Sequence, residues 1–436
     1  MPALIASAVV IIFFLLLLRY RRSLPRHKRH LPTYLIALCA VLLTLSLVRF
    51  PQEAFNASVA GLEIWWHIVF PALLPFFIFS QILIGLGVVH AMGVFLEPVM
   101  RPLFNVPGAG SFVMAMGLAS GYPIGAVLTS ELRARELCNR VEAERLLSFT
   151  NTADPLFMFG AVAVGMFAYP AAGPVIAAAH YLSSLTVGLL MRFYKRSETG
   201  SPEPGPRRGR ILARALAALV SAREQDGRPL GRLMGEAIVK SVETLMLIGG
   251  FIILLSVVIR ILELIGVVAA LSRGLGFLLE LTGLSAALAP ALVSGFFEID
   301  LGCQFAGALA TVAMDEKIIA AGMIIAWSGL SVHAQVASII SKTDIRIAPY
   351  IAARLLHALL AAVYSALLIG PAGMLLNKVA IPAFFSTVPS GSFSFWWSRT
   401  ALMFNQFLWL CGFLIAAALF LSLFRAFKAA FFFSRR

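Results

Sequence analysis

Two carboxylates stand close together inside an apolar run, Phe296-Phe297-Glu298-Ile299-Asp300. An acidic side chain facing lipid at a helix centre costs about 2.5 to 3.5 kcal/mol on insertion scales. Glu298 and Asp300 are therefore expected to face a cavity, a partner or water at the tip of a hairpin. Two readings stand side by side: solvated tip carboxylates, or groups that bind a coupling proton or sodium ion, or that orient backbone around a solute.

A second run, Gly117-Leu-Ala-Ser-Gly121-Tyr-Pro-Ile-Gly125, carries glycine at every fourth residue. That spacing suits a helix-packing face. Pro123, however, removes a backbone donor, and Ser120 and Tyr122 add polar groups, so a continuous helix here would leave carbonyls unsatisfied in lipid. A hairpin tip that meets a solute is the preferred reading.

Ser148, Thr150, Asn151, Thr152, Asp154 and Pro155 then open the next apolar segment, either as helix capping or as a polar cluster partway into the membrane. Ser328, Ser331, His333 and Gln335 form a comparable stripe further on, although His333 alone would be an ordinary interior histidine. Arg354 and His357 are one helical turn apart and share a face of the run Ile347 to Ile369. They either neutralise Glu298 or an anionic solute, or Arg354 snorkels to the membrane interface.

The chemistry of an enzyme is missing from the sequence. No HExxH, G-x-S-x-G or phosphate-binding P-loop occurs. Cys39, Cys138, Cys303 and Cys411 have no metal-ligand spacing and read as small core hydrophobes, so neither a metal nor a cofactor is expected.

The elements that must position these groups are transmembrane helices. Of 436 residues 60% are hydrophobic and 13% charged, and the mean hydropathy is +0.90, a balance that excludes a water-soluble globule. Runs such as Ala3 to Leu18, Leu31 to Val48, Val69 to Val88, Ala171 to Met191 and Ala401 to Phe424 approach or exceed the roughly 20 residues needed to cross about 30 Å of hydrocarbon. The first run lacks a positive n-region and a cleavage pattern, and reads as a retained anchor.

The net charge of +14 is carried in blocks between apolar runs. This is the pattern of the positive-inside bias rather than of nucleic-acid binding. The blocks after the first helix, from Arg133 to Arg145, from Arg192 to Arg232, at Lys342 and Arg346, and from Arg425 to Arg436 are all expected to be cytoplasmic. Spans are expected at about Leu147 to Ala168, Ser241 to Val268, Ile318 to Ile339 and Ile347 to Ile369, with re-entrant stretches at Leu103 to Thr129 and Ser285 to Thr311.

A shift of 178 or 179 positions aligns Gly87-Val88-Val89 with Gly266-Val267-Val268, Gly117 with Gly295, Phe149 with Trp327, and Thr150 with Ser328. The charge rule gives the two copies opposite orientations, which is a transporter signature. The expected fold is an all-α polytopic membrane protein with about nine transmembrane helices plus two re-entrant hairpins in two inverted-topology repeats.

The run Ser197 to Pro206 reads as a flexible linker. Ile211 to Ala222, with Arg207, Arg208, Arg210 and Arg214, reads either as an amphipathic helix on anionic lipid or as a solvated loop. The pairs Trp65-Trp66 and Trp396-Trp397 are expected in interfacial belts.

In four stretches the chain resembles the YlbJ-type sporulation integral membrane proteins of the nucleoside-recognition, or Gate domain, family. These are GLEIWWHIVFPALLPFF from Gly61, GLASGYPIGA from Gly117, VEAERLLSFTNTADPLFMFGAVAVG from Val141 and SGFFEIDLG from Ser294. The resemblance runs from about Gly61 to Ile369. It implies a protein of endospore-forming bacteria in the outer forespore membrane, needed to move dipicolinate toward the spore and so for heat resistance. Gate domains also look like halves of concentrative nucleoside transporters, with hairpins meeting at mid-membrane. A family motif with Thr where Asp300 stands makes Glu298 the more dependable carboxylate.

On this reading residues 1–50 hold two helices and a basic cytoplasmic loop, and 51–192 a first Gate-like repeat. A basic cytoplasmic linker follows at 193–235, a second, inverted repeat at 236–370, and an outer loop, last helix and basic tail at 371–436. Ser120, Gly121, Tyr122, Asn151, Thr152, Ser328, Ser331 and Arg354 are expected to bind solute; Asp154, Glu298, Asp300 and His333 form a coupling-ion or polar site. Broken-helix N-termini would hold the carboxylates of the solute. The expected partners are a small anionic solute, dipicolinate, the lipid bilayer and a coupling proton or sodium ion, with no nucleic acid and with self-association into a homo-oligomer left open. The alternatives are a non-transporting scaffold of the sporulation machinery and a nucleoside-like solute carrier.

Overall fold

The structure is a computed structural model that describes residues 31–198, 200–201 and 211–369. The expected first and last helices, the basic block and tail beside them, Trp396, Trp397, Cys411, Arg207, Arg208, Arg210 and most of the Ser197 to Pro206 run lie outside the described residues.

The described residues form helices and connecting turns, without strands. Five helical segments are long and apolar enough to cross a membrane: Pro51–Gly85, Ala172–Met191, Leu230–Leu264, Met314–Ile340 and Ile347–Ile369. In chain order the elements are α1 (Leu31–Arg49), α2 (Pro51–Ile64), α3 (Phe70–Gly85), α4 (Val88–Val99), α5 (Gly110–Ser120), α6 (Ile124–Ala134), α7 (Arg140–Thr150) and α8 (Ala172–Met191). After them come α9 (Ile211–Asp226), α10 (Leu230–Leu264), α11 (Val267–Leu281), α12 (Ala289–Phe297), α13 (Ile299–Ala308), α14 (Met314–Trp327), α15 (Gly329–Ile340) and α16 (Ile347–Ile369).

A π-helical turn, Trp65–Val69, joins α2 to α3, so the third span begins well before the expected Val69. α10 likewise begins at Leu230 rather than near Ser241, because the basic residues before Ser241 are good helix formers and continue its first turns. The two 35-residue segments Pro51–Gly85 and Leu230–Leu264 pack along each other. Each is followed by a glycine in the left-handed region, Gly87 at φ 80° and Gly266 at φ 81°, where a side chain would be strained and the chain can turn sharply into α4 or α11.

Expected spans elsewhere are interrupted. Leu147 to Ala168 is not one helix: α7 ends at Thr150, residues 151–154 are unwound, and a π-helical segment, Phe157–Met166, follows. Asn151, Thr152 and Asp154 offer the backbone side-chain partners outside a helix, and Pro155 has no N–H to continue the ladder. The expected span Ile318 to Ile339 breaks at Ser328, a non-glycine residue at φ 72°. Such strain costs of order 1 to 3 kcal/mol and persists only where the surroundings over-determine it. Glu298, extended at φ −145° and ψ 130°, separates α12 from α13.

Two further differences concern surface elements. α9 packs on α4, with Arg214 paired to Glu97, rather than standing as a solvated loop. Trp65 is buried and donates to the Leu245 carbonyl at 2.8 Å, while Trp66 is exposed, so only Trp66 of that pair keeps the surface position of a belt residue. Trp65 fills the groove opened by Gly249, where a Cβ would meet its ring at 2.6 Å.

Candidate functional site

Four chain breaks, at Gly121 to Pro123 between α5 and α6, at 151–154, at Glu298 and at Ser328, converge inside the bundle. The glycine run makes this possible: a Cβ on Gly117 or Gly125 would stand 1.9 or 2.5 Å from the Thr150 carbonyl oxygen, and one on Gly121 2.7 Å from Asp154 Oδ2. The spacing thus does serve packing, but it packs α5 and α6 against the unwound end of α7 rather than against a smooth helix. Glycine at 329 performs the same service in the other half, lying 3.0 Å from the Phe297 carbonyl and 3.2 Å from Glu298 Cα by the same measure.

Between these breaks lies a cavity of about 70 Å³, lined by Tyr122, Asp154, Glu298, Asp300, Ser331 and Gln335 among apolar walls that include Phe77, Phe157 and Phe251. That is room for a few waters. Glu298 and Asp300 are both 4% exposed, and Glu298 Oε2 and Asp300 Oδ1 have no hydrogen-bond partner among the described residues. Asp154 Oδ1 accepts from the Phe157 N–H at 2.9 Å, capping the segment that follows the break. Among the described residues no group of three or more His, Cys, Asp and Glu is close enough to hold a metal ion.

A polar network stands behind the cavity. Asn151 Nδ2 donates to the Tyr350 hydroxyl at 2.9 Å, and Thr152 Oγ1 to the Gly117 carbonyl at 3.2 Å. The Ala153 N–H donates to His180 Nε2 at 3.1 Å, and the Tyr181 hydroxyl to the Ala153 carbonyl at 3.2 Å. The N–H and the carbonyl of Ala153, freed by the break at 151–154, are thus both matched from α8, as a dry environment demands.

Arg354 is fully buried and is absent from the cavity wall. Its Nη1 donates to the Asn151 carbonyl at 2.6 Å and to the Tyr122 hydroxyl at 3.3 Å, its Nη2 bonds His357 Nδ1, and its charge lies 5.7 Å from the Tyr350 ring centre. It points into the bundle and does not snorkel.

Of the residues expected from the sequence, Tyr122, Asp154, Glu298, Asp300 and Ser331 meet at the cavity. Asn151, Thr152 and Arg354 form the network beside it, while Ser120, Gly121 and Ser328 are buried in the breaks themselves. His333 is held locally, its Nδ1 2.6 Å from the Gly329 carbonyl and its ring 4.4 Å from that of Trp327. Tyr350 and His180 were not singled out by their sequence context. Tyr350 precedes Arg354 by one helical turn, and His180 is a polar residue within an apolar span; those were the available signals.

The basic end of the bundle is closed by ion pairs. Arg346 holds Glu144 at 2.7 and 3.0 Å, and Arg133 holds Asp344 at 2.8 and 3.1 Å. Burial works against ionisation of Glu144, but hydrogen bonds from Arg346 and Tyr194 outweigh it and hold the carboxyl below its ordinary range. The Arg133 guanidinium does the same for Asp344.

The family model described as Gate, nucleoside recognition, matches residues 66–195. Solved structures of CNTnw, one in an intermediate 1 state and one in an outward-facing state, align with TM-scores of 0.43 and 0.42 at 13% and 14% identity, covering 79% and 76% of this chain and 88% and 87% of theirs. The sporulation integral membrane protein YlbJ of Bacillus subtilis (strain 168) is 48% identical over 344 residues, which are 78% of this chain and 83% of that protein. With identity of that order sustained over most of both chains, this chain belongs to the family of the sporulation integral membrane protein YlbJ.

Proposed function

We propose that the protein is a secondary-type carrier that moves dipicolinate across the outer forespore membrane of a sporulating bacterium. The observation that carries this reading is the cavity at which four breaks in the helices deliver polar side chains: Tyr122, Asp154, Glu298 and Ser331. Irregular backbone at membrane depth is tolerated where it lines a cavity, and broken helices around such a cavity are how many carriers hold a solute. The cavity as it stands holds only a few waters, so on this reading a flat ring enters when the hairpin tips part, between the aromatic walls Phe77, Phe157 and Phe251, and membership of the sporulation family supplies the physiological setting.

The paired left-handed glycines Gly87 and Gly266, and the paired breaks after Thr150 and at Ser328, support two inverted repeats at 51–192 and 236–370, with re-entrant hairpins around Gly121 and Glu298. Three carboxyl groups line the cavity, so a dianion enters only when they are neutral. Proton uptake by Asp154, Glu298 and Asp300 therefore accompanies solute entry in this scheme and proton release expels the solute, so a permanently neutral Glu298→Gln cannot complete the cycle.

Dipicolinate flux into proteoliposomes, measured for the parent, Glu298→Gln and Asn151→Ala at matched folded amounts, tests the proposal. Saturable flux in the parent that is lost in both variants is the expected result. Absence of flux in the parent, with both variants still supporting sporulation, overturns it.

A further inference from the structure

Arg354 is the cation that the two broken helices share. α7 ends at Thr150, and the carbonyl of Asn151, which caps it, accepts directly from Arg354 Nη1 at 2.6 Å. α14 ends at Trp327, and the carbonyl of Ile325 in its last turn accepts from the Tyr122 hydroxyl at 3.0 Å. That hydroxyl in turn accepts from Arg354 Nη1 at 3.3 Å. One guanidinium thus answers the C-terminal ends of both half-helices, one directly and one through a tyrosine.

The charges match. A helix C-terminus carries the equivalent of about half a negative charge, so two such ends sum to about one, the charge of a single guanidinium. No carboxylate pairs with Arg354 among the described residues, so the carbonyl ends are its counter-charge.

The neighbouring histidines are arranged to add no second charge. His357 Nδ1 accepts from Arg354 Nη2, which leaves Nε2 to carry the proton that it donates to the His180 carbonyl at 2.9 Å. His180 Nε2 accepts from the Ala153 N–H, so His180 too is neutral in this arrangement.

In carriers built from broken helices, half-helix C-termini and unwound carbonyls are the places that bind a coupling metal cation. We infer that Arg354 is a tethered substitute for such an ion: it permanently occupies the meeting point of α7 and α14, so that no sodium ion is taken up there. The occupied site follows from the geometry alone, whereas the corollary that transport is independent of sodium rests on the carrier reading above.

The test is thermal unfolding of the purified full chain in lipid nanodiscs, in sodium, potassium or choline chloride at equal ionic strength. The parent is expected to have the same Tm in all three. Arg354→Ala is expected to fall in Tm in choline and to regain at least half of the loss, saturably, with sodium or with sub-denaturing guanidinium. A saturable sodium-dependent rise in the parent overturns the inference, as does an Arg354→Ala variant with parental Tm in choline.

If Arg354→Ala cannot be purified, Arg354→Lys decides. A folded lysine variant that is indifferent to sodium supports a tethered charge; one that is stabilised by sodium, or fails like alanine, overturns it. These readings need no transport, so a parent without dipicolinate flux would sink the carrier reading and leave the cation site standing.

Discussion

The guanidinium of Arg346 grips the carboxylate of Glu144 through two parallel hydrogen bonds, Nε to Oε1 at 2.7 Å and Nη2 to Oε2 at 3.0 Å. The Glu144 side chain is fully buried, whereas Arg346 reaches it from the surface. Two positions earlier in the same loop, Asp344 is gripped by Arg133 with the opposite polarity. The loop between α15 and α16 is therefore tied to α6 by its acid and to α7 by its base.

Removing one partner of such a clasp strands the other. Arg346→Ala is expected to lower Tm by several degrees, more than Arg135→Ala, whose partner Glu131 is on the surface of the same helix. Restoration by the charge exchange Glu144→Arg with Arg346→Glu would be partial, since the buried position is shaped for a carboxylate. Differential scanning fluorimetry in nanodiscs decides, and equal effects at Arg346 and Arg135 would refute the clasp.

The same pairs set an acid limit. Glu144 and Asp344 both titrate below their ordinary ranges in the folded protein, so the stability they contribute is complete above the unfolded values and is lost as pH falls through the folded ones. Their contribution to Tm is expected to be flat between about pH 5 and 8 and to decline below about pH 4. Glu144→Gln with Asp344→Asn should blunt that decline; an unchanged acid limb would remove these carboxylates as its cause.

Glycine 117 is expected to be intolerant of any side chain. A methyl there would meet a backbone carbonyl at 1.9 Å, so Gly117→Ala should destabilise by about 3 kcal/mol or more as α5 is forced away from α7. Gly231→Ala, in the first turn of α10 with nothing within 4 Å, should be neutral or stabilising by up to about 1 kcal/mol. Thermal unfolding of the two variants side by side separates local packing from a general dislike of alanine.

Tyr350→Phe removes the acceptor for Asn151 Nδ2 in a site closed to water. Leaving that amide unsatisfied should cost about 1 to 3 kcal/mol. Because the ring that faces Arg354 is kept, the loss should come without any new response to sodium, which thermal unfolding in sodium and choline can check.

Much of the site was legible because lipid makes polar residues conspicuous. Glu298, Asp154 and Tyr122 stood out against apolar neighbours, and the structure brings them to one cavity. The breaks were harder to read. Ser148 to Pro155 looks equally like a helix cap and like an unwound segment, because the same short polar side chains serve both, and only the close approach of Gly117 and Gly125 to Thr150 distinguishes them. Arg354 lies only seven residues into its helix, a depth from which a long side chain could reach the interface as easily as the core. Trp65 followed the opposite course, since a glycine distant in sequence, Gly249, provides the groove that buries it.

The unbroken segments Pro51–Gly85 and Leu230–Leu264 are each about 52 Å long, against about 30 Å of hydrocarbon. Tilting alone does not absorb that excess, and at the start of α10 the ion pairs among Asp226, Arg228, Arg232 and Glu236 place the first turns in water. Those first turns are nevertheless part of the bundle, since Leu233 and Ala237 are buried and Leu233 lies over Gly85 at the end of α3, so the two long rods can change tilt only together.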